Sequence, residues 1–286
     1  MLANFLLLIT AAIWGFAFVA QRLGMQNLDP MSYNAIRFTL GALFIWLIAA
    51  RKSHAKQSFP WLLGIVLFVA ASLQQIGVLY TTAGSAGFIT GLYVVMVPVF
   101  GLFRGHKPKP LTIIAILLAV CGMLLINNPK NIQMSYGNLL VLISAVFWAW
   151  HVQLVDIYSH KSDTGFLAFA QFSICAILSA IGAVIVSLFS KSISLFSADF
   201  GSSVLKAGLP ILYGGILSVG IAYSLQIKAQ RNAIPAKAAV ILCLEGVFAL
   251  FGGWLILGEA LSLKMLAGAG LMLLAMLLSL SSKLFD

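Results

Sequence analysis

Apolar residues do not alternate with polar ones along this chain; they run on for about 20 positions, stop at short polar clusters and run on again. Each run is long enough to cross roughly 30 Å of hydrocarbon as a helix. The pattern predicts spans at Ala3 to Gln21, Met31 to Ala50, Pro60 to Tyr80, Gly84 to Phe103 and Pro110 to Asn127. A second set follows at Tyr136 to Val155, Gly165 to Leu188, Lys206 to Ile227, Ile234 to Leu257 and Leu261 to Ser281. Strands of a membrane barrel would alternate apolar and polar positions over about ten residues. The expected fold is therefore all-α integral membrane, with ten transmembrane helices. Met1 to Gln21 has no basic leading segment and is long enough to span, so it is read as the first helix and not as a cleaved leader.

Composition sharpens this reading. The 286 residues are 62% hydrophobic and 8% charged, against roughly a quarter charged in an ordinary soluble domain. The formal net charge of +10 would suit nucleic acid if it lay along one soluble face, but Lys and Arg sit in clusters between apolar runs. The lipid bilayer is the expected partner, and nucleic acid is not. Cys121, Cys175 and Cys243 lie inside apolar runs, with no neighbouring Cys or His at metal-ligand spacing, and are read as small buried hydrophobes.

The basic clusters also orient the chain. With the N-terminus inside, the cytoplasmic segments hold Arg51, Lys52, Lys56, Arg104, Lys107, Lys109, Lys161, Lys228, Arg231 and Lys283. The other side holds Arg22, Lys130, Lys191, Lys206 and Lys264. The excess places both termini in the cytoplasm of a multi-pass protein of the inner (plasma) membrane, although Arg22 locally argues the other way.

The two halves are alike. Val99, Phe100, Leu102 and Phe103 align with Val247, Phe248, Leu250 and Phe251 at a constant offset of 148. Two five-helix repeats are expected, at residues 1–130 and 135–286, in one compact transmembrane unit. Because five is odd, the second enters the membrane from the opposite side, which makes the repeats inverted.

At this point particular residues carry a family likeness. They are Ala12-Ile13-Trp14-Gly15 with Phe18 in the first helix, Arg37-Phe38 in the second, and Tyr80-Thr81-Thr82-Ala83 before the fourth. Around the ninth come Leu244-Glu245-Gly246-Val247-Phe248 and Leu257-Gly258-Glu259. In this order and spacing the chain resembles the drug/metabolite transporter superfamily, in its EamA-type ten-helix branch, over essentially its whole length. The resemblance implies a secondary carrier, of a kind that often exports amino acids or other metabolites, with a cavity between helices one to four and six to nine. Helices five and ten would be peripheral packing elements. One departure is plain: the family often closes the fourth helix with a pair like Gly258-Glu259, where this chain has Arg104-Gly105-His106-Lys107-Pro108.

Charged residues at bilayer depth cost several kcal/mol unless they are paired or face water, so they mark candidate sites. Arg37, Lys237 and Glu245 qualify. Lys237 and Glu245, at i and i+8 on the ninth helix, would share a face about 12 Å apart; together they would suit a zwitterion, unless Lys237 instead snorkels to the surface. Arg37 either faces the cavity or clamps backbone carbonyls between helices, and the equivalent region of the second half holds Gln171. Trp14, Gln74, Gln75, Tyr80, Tyr93, Trp148, His151 and Tyr223, with Gln153 and Gln226, are candidates for the rest of a mostly apolar pocket with a few oriented polar groups. His151 would need a partner if buried. Gly84, Gly87 and Gly91 offer small surfaces for close helix contact, and Pro98 and Pro235 can bend or start the fourth and ninth helices.

No HExxH, GxSxG, paired membrane aspartates or phosphate-binding loop occurs, so neither an intramembrane enzyme nor an ATP-driven pump has a visible constellation. No filter-like segment suggests a channel. No metal or cofactor is expected. The expected function is secondary transport of a small polar metabolite, an amino acid or related zwitterion, by export. A proton is a candidate coupling ion through Glu245; an organic cation, nucleobase or vitamin is the alternative cargo.

Overall fold

A computed structural model describes residues 2–49, 59–105, 107–126, 136–189 and 197–281. Arg51, Lys52, Lys56, His106, Lys130, Lys191 and Lys283, on which parts of the charge and motif readings rest, lie outside them. Every regular element among the described residues is helical: α1 (Leu2–Gly24), α2 (Pro30–Ile48), α3 (Trp61–Val78), α4 (Ala83–Gly91), α5 (Tyr93–Leu102), α6 (Pro110–Ile126), α7 (Tyr136–Ser159) and α8 (Thr164–Phe189). Then come α9 (Phe200–Lys206), α10 (Gly208–Leu212), a π-helical stretch (Tyr213–Ala222), α11 (Tyr223–Gln230), α12 (Pro235–Leu242), α13 (Glu245–Leu257) and α14 (Leu263–Ser281).

Among the described residues, eight rods are long and apolar enough to cross a membrane, counting α4 with α5, α10 through α11, and α12 with α13 as one each. The apolar stretches of α6 and α14, Pro110–Leu125 and Leu263–Leu278, reach only about 24 Å at 1.5 Å per residue, short of the full hydrocarbon thickness. Local chemistry sets the helix starts. Asp29 accepts from the Met31 and Ser32 amides at 3.0 Å and Pro30 opens α2, as a capping carboxylate and a residue without an N–H should. Pro235 likewise opens α12.

Three predicted spans are not single α-helices. The fourth breaks at Leu92 and the ninth at Cys243–Leu244. At both breaks the backbone tightens to i→i−3 bonds: Leu92 N to Ile89 O and Val95 N to Leu92 O in the one, Leu244 N to Ile241 O, Gly246 N to Cys243 O and Val247 N to Leu244 O in the other. Pro98 sits inside α5 and so is not at the break itself. In the eighth span the helix widens to π geometry around Gly214, Gly215 and Gly220.

Packing follows a consistent plan. α2 lies on α8, α6 on α14, and α3 on α7, while α1 packs along the π stretch and α11. At the centre α4 meets α13 and α5 meets α12, so the fourth and ninth spans run antiparallel. Close approach there depends on missing side chains. A Cβ on Gly15 would lie 2.2 Å from Phe248 Cβ and 2.7 Å from the Glu245 carbonyl, and one on Gly87 would lie 2.6 Å from Ala249 Cβ. Large apolar side chains such as Leu117, Ile177 and Leu255 face outward, which suits a lipid surround better than water. Cys175 and Cys243 are buried as expected, but Cys121 is exposed on α6.

Candidate functional site

The half-helices and the π stretch converge on one central cavity. α1 turns Trp14, Phe18 and Gln21 toward it, spaced so that they share a helix face. Arg37 comes from α2, Gln74 from α3, and Trp148 and Val152 from successive turns of α7. Thr90 and Tyr93 flank the break in the fourth span, and Glu245 is the first residue after the break in the ninth. The eighth span adds Ser218, Tyr223 and Gln226.

The cavity has two poles and an aromatic wall. Glu245 is 4% exposed and stands in the first turn of α13, where the positive end of a helix favours a carboxylate. The Tyr93 hydroxyl lines the same cavity, buried and without a hydrogen-bond partner among the described residues. Arg37 is 3% exposed; its Nε donates to Asn34 Oδ1 at 2.9 Å and its guanidinium lies 4.9 Å from the centre of the Phe38 ring. Asn34 in turn donates to the Ala71 carbonyl at 3.3 Å, so α3 helps to hold the arginine. Arg37 and Glu245 are not paired with each other; Asp156, away from this cavity, pairs with Arg104. Between the poles, Trp14 and Tyr223 have ring centres 4.7 Å apart, and Trp148 stacks on Tyr223 at 6.3 Å.

The π stretch explains why α1 seats its tryptophan here. Trp14 Nε1 donates to the Ser218 carbonyl at 3.2 Å, Thr10 to the Ala222 carbonyl at 3.3 Å, and the Tyr213 hydroxyl donates back to the Ile13 carbonyl at 2.9 Å. A widened helix offers carbonyls that a regular one keeps to itself. The polar inventory is nevertheless incomplete: Gln21 Oε1, the Tyr93 hydroxyl, Trp148 Nε1, Gln226 Oε1 and Glu245 Oε1 are buried and have no hydrogen-bond partner among the described residues. Each such group costs about 1–3 kcal/mol until something satisfies it.

Of the residues singled out in the sequence, Trp14, Arg37, Gln74, Tyr93, Trp148, Tyr223, Gln226 and Glu245 meet in this cavity. Lys237, Gln75, Tyr80, His151 and Gln153 do not line it. Lys237 is 8% exposed in α12, and the tightened turns between it and Glu245 advance the chain about 20° more per residue than an α-helix, so the two lose their common face. His151 has its partner in Gln171 Oε1, 2.9 Å away. Gln75 is buried outside the cavity, while Tyr80 is 58% exposed and meets Tyr136 edge-on. Gln153 bonds the Val97 carbonyl and accepts from Arg104. The expected wall of helices one to four and six to nine is found without the seventh: α8 stands one layer back, with Phe172 5.6 Å from Tyr223. Gln21, Thr90 and Ser218 are wall residues that the sequence did not announce.

Polar networks close both ends of the bundle. At one, Glu259 accepts from the amides of Ala83 at 2.9 Å and Gly84 at 3.2 Å, Arg22 donates to the Thr81 carbonyl, and Thr81 donates to Asn138 at 2.7 Å. Gly258, at φ 69°, ends α13 and turns Glu259 back so that its amide reaches the Gly253 carbonyl. At the other end Arg104 pairs with Asp156 at 2.9 Å, and Arg231 donates to the Ser159 and Ser162 carbonyls.

The described residues form a helical bundle with an apolar exterior, closed ends and a central cavity carrying a few polar groups, which is the build of a membrane transport protein. The chain belongs to the EamA-like transporter family, whose model matches residues 1–128 and again 135–281. A transporter of Archaeoglobus fulgidus is 30% identical over 95% of this chain and 83% of its own length. The inner membrane transporter YedA of Escherichia coli is 24% identical over 96% of this chain and 89% of its own. A solved crystal structure with 19% identity shares the fold, with a TM-score of 0.76 over 99% of each chain. The chain is thus a multi-pass membrane protein with transmembrane helices, of a transporter family, and so implies a small-molecule substrate.

Proposed function

We propose that this transporter is a secondary carrier that moves a small zwitterion, an amino acid or a relative of one, by alternating access, and that it exports its cargo across the inner membrane. The observation that carries the reading is the unsatisfied polar wall: five buried atoms without hydrogen-bond partners among the described residues belong to residues lining the cavity that also holds the Glu245 carboxylate and the Arg37 guanidinium. A zwitterion brings an ammonium for Glu245, a carboxylate for Arg37 and hydrogen-bonding groups for the amides. The apolar remainder of such a molecule fits the Trp14, Trp148 and Tyr223 wall. Export is the direction that the family resemblance implies.

Alternating access is supported by the architecture. Two five-helix repeats, 1–130 and 135–286, of inverted topology account for the double family match, the antiparallel central spans and the paired packing of α2 with α8 and α6 with α14. In that arrangement α6 and α14 are the fifth and tenth spans, and the excess of basic residues puts both termini in the cytoplasm. Mid-membrane breaks beside Tyr93 and Glu245 supply the flexing points.

One observation favours a second cargo. Three aromatic rings near a carboxylate also suit an organic cation. Uptake and efflux of a metabolite panel in proteoliposomes, with and without a pH gradient, tests both. A zwitterion is expected to move, and to need Arg37; transport of cations alone that survives Arg37→Gln selects the second reading, and no transport of any small polar solute contradicts both.

A further inference from the structure

The ends of the bundle are closed differently. At the end of α13, the Glu259 carboxylate caps the first amides of α4. At the opposite end of the same helix pair, α12 begins without any side-chain cap, and the segment leaving α5 supplies Arg104 and Lys107 in place of a carboxylate. A depression of about 670 Å³ opens there, between the fourth and fifth spans, α7 and the turn from α11 to α12. Among the described residues lining it, Asp156 is the one carboxylate, set against Arg104, Lys107 and Arg231, and Asp156 is already paired with Arg104. Gln230 forms part of the wall, is 1% exposed, and donates to the Val152 carbonyl at 3.0 Å, while its Oε1 has no partner among the described residues.

We propose that this vestibule is a second binding site, distinct from the central cavity, for a phosphate-type anion that also carries a hydrogen-bond donor. The basic side chains and the positive end of α12 supply the attraction. The buried Gln230 oxygen calls for a donor, which hydrogen phosphate, a phosphate monoester or a hydroxylated lipid headgroup brings. The site lies one helical turn below the transport cavity: Val152 and Gln226 line the cavity, while Asp156 and Gln230, each four residues later, line the vestibule, about 6 Å along the axis. An anion held there neutralises the closure formed by Arg104 and Arg231 and sits in the path between the cavity and that face.

Thermal unfolding of the purified full chain in neutral detergent, in sodium phosphate and in sodium chloride of equal ionic strength, tests the site. The wild type should gain about 3 °C in phosphate over chloride once phosphate is well above its Kd. Lys107→Glu, at an exposed position, places a carboxylate in the mouth and should abolish the gain; Arg231→Gln should at least halve it. A parallel comparison uses vesicles of phosphatidylcholine with and without phosphatidylglycerol. A gain from phosphatidylglycerol that Lys107→Glu removes identifies a lipid headgroup at the same site, and a gain from phosphate alone identifies a soluble anion. No gain in either medium, or gains that persist in Lys107→Glu, overturns the proposal.

Discussion

Arg37 is held from several sides at once, by Asn34, by the Phe38 ring and through Asn34 by α3, yet it still lines the cavity. That arrangement orients a guanidinium for a ligand, and it separates two roles that the sequence left open. Arg37→Lys keeps the charge and loses the planar fork. A binding role predicts a folded carrier whose KM for its substrate rises about tenfold or more, the size of one lost charge-assisted bond of about 1.5–3 kcal/mol. A clamp role predicts a lower unfolding temperature with KM unchanged, so initial rates and melting curves on the same preparation decide. Charge and ring size made Arg37, Glu245, Trp14 and Tyr223 legible, because such groups are conspicuous in an apolar helix. Thr90 and Ser218 were not, since a hydroxyl in a helix commonly bonds its own backbone and says nothing about a cavity. Gln75 and His151 carried the same signal as Gln74 and Trp148 but point elsewhere, a matter of helix rotation fixed by packing.

Elements show a similar division. Long apolar runs located the helices, and Pro30, Pro110 and Pro235 marked starts. The breaks at Leu92 and Cys243–Leu244 left no such mark: neither is at a proline, and each is a change of hydrogen-bond register inside one predicted span. The π stretch had only its glycines as a hint. Packing is tight where α1 meets α13, so Gly15→Ala, which sets a Cβ against Phe248 and the Glu245 carbonyl, should cost about 1–3 kcal/mol by overpacking and also displace Glu245. The check is a lower unfolding temperature together with reduced transport; an unchanged melting curve contradicts the close approach. Removing the Glu259 cap acts on one end only. Glu259→Ala should cost about 1–2 kcal/mol, as lost helix caps do, and should destabilise more than Glu259→Gln, whose amide oxygen can still accept.

For the whole molecule, the length of the apolar runs carried more than any motif did. They gave a multi-pass helical membrane protein, and the family match agrees. The wall of the cavity and its vestibule depend on contacts between residues more than a hundred positions apart, such as Trp14 with Ser218, which no local pattern encodes. Orientation is testable directly: a reporter active only outside the cytoplasm, fused after Asp286, which lies outside the described residues, should be silent, and activity there reverses the assignment. The central claim, that Glu245 is the negative pole of a transport site, is tested by reconstituting Glu245→Gln beside the wild type and measuring counterflow and pH-gradient-driven efflux of the transported zwitterion. The account predicts a folded, monodisperse variant that loses most of its transport or the dependence of its rate on the pH gradient. A well-folded Glu245→Gln carrier with the wild-type rate and the wild-type response to the gradient would contradict it.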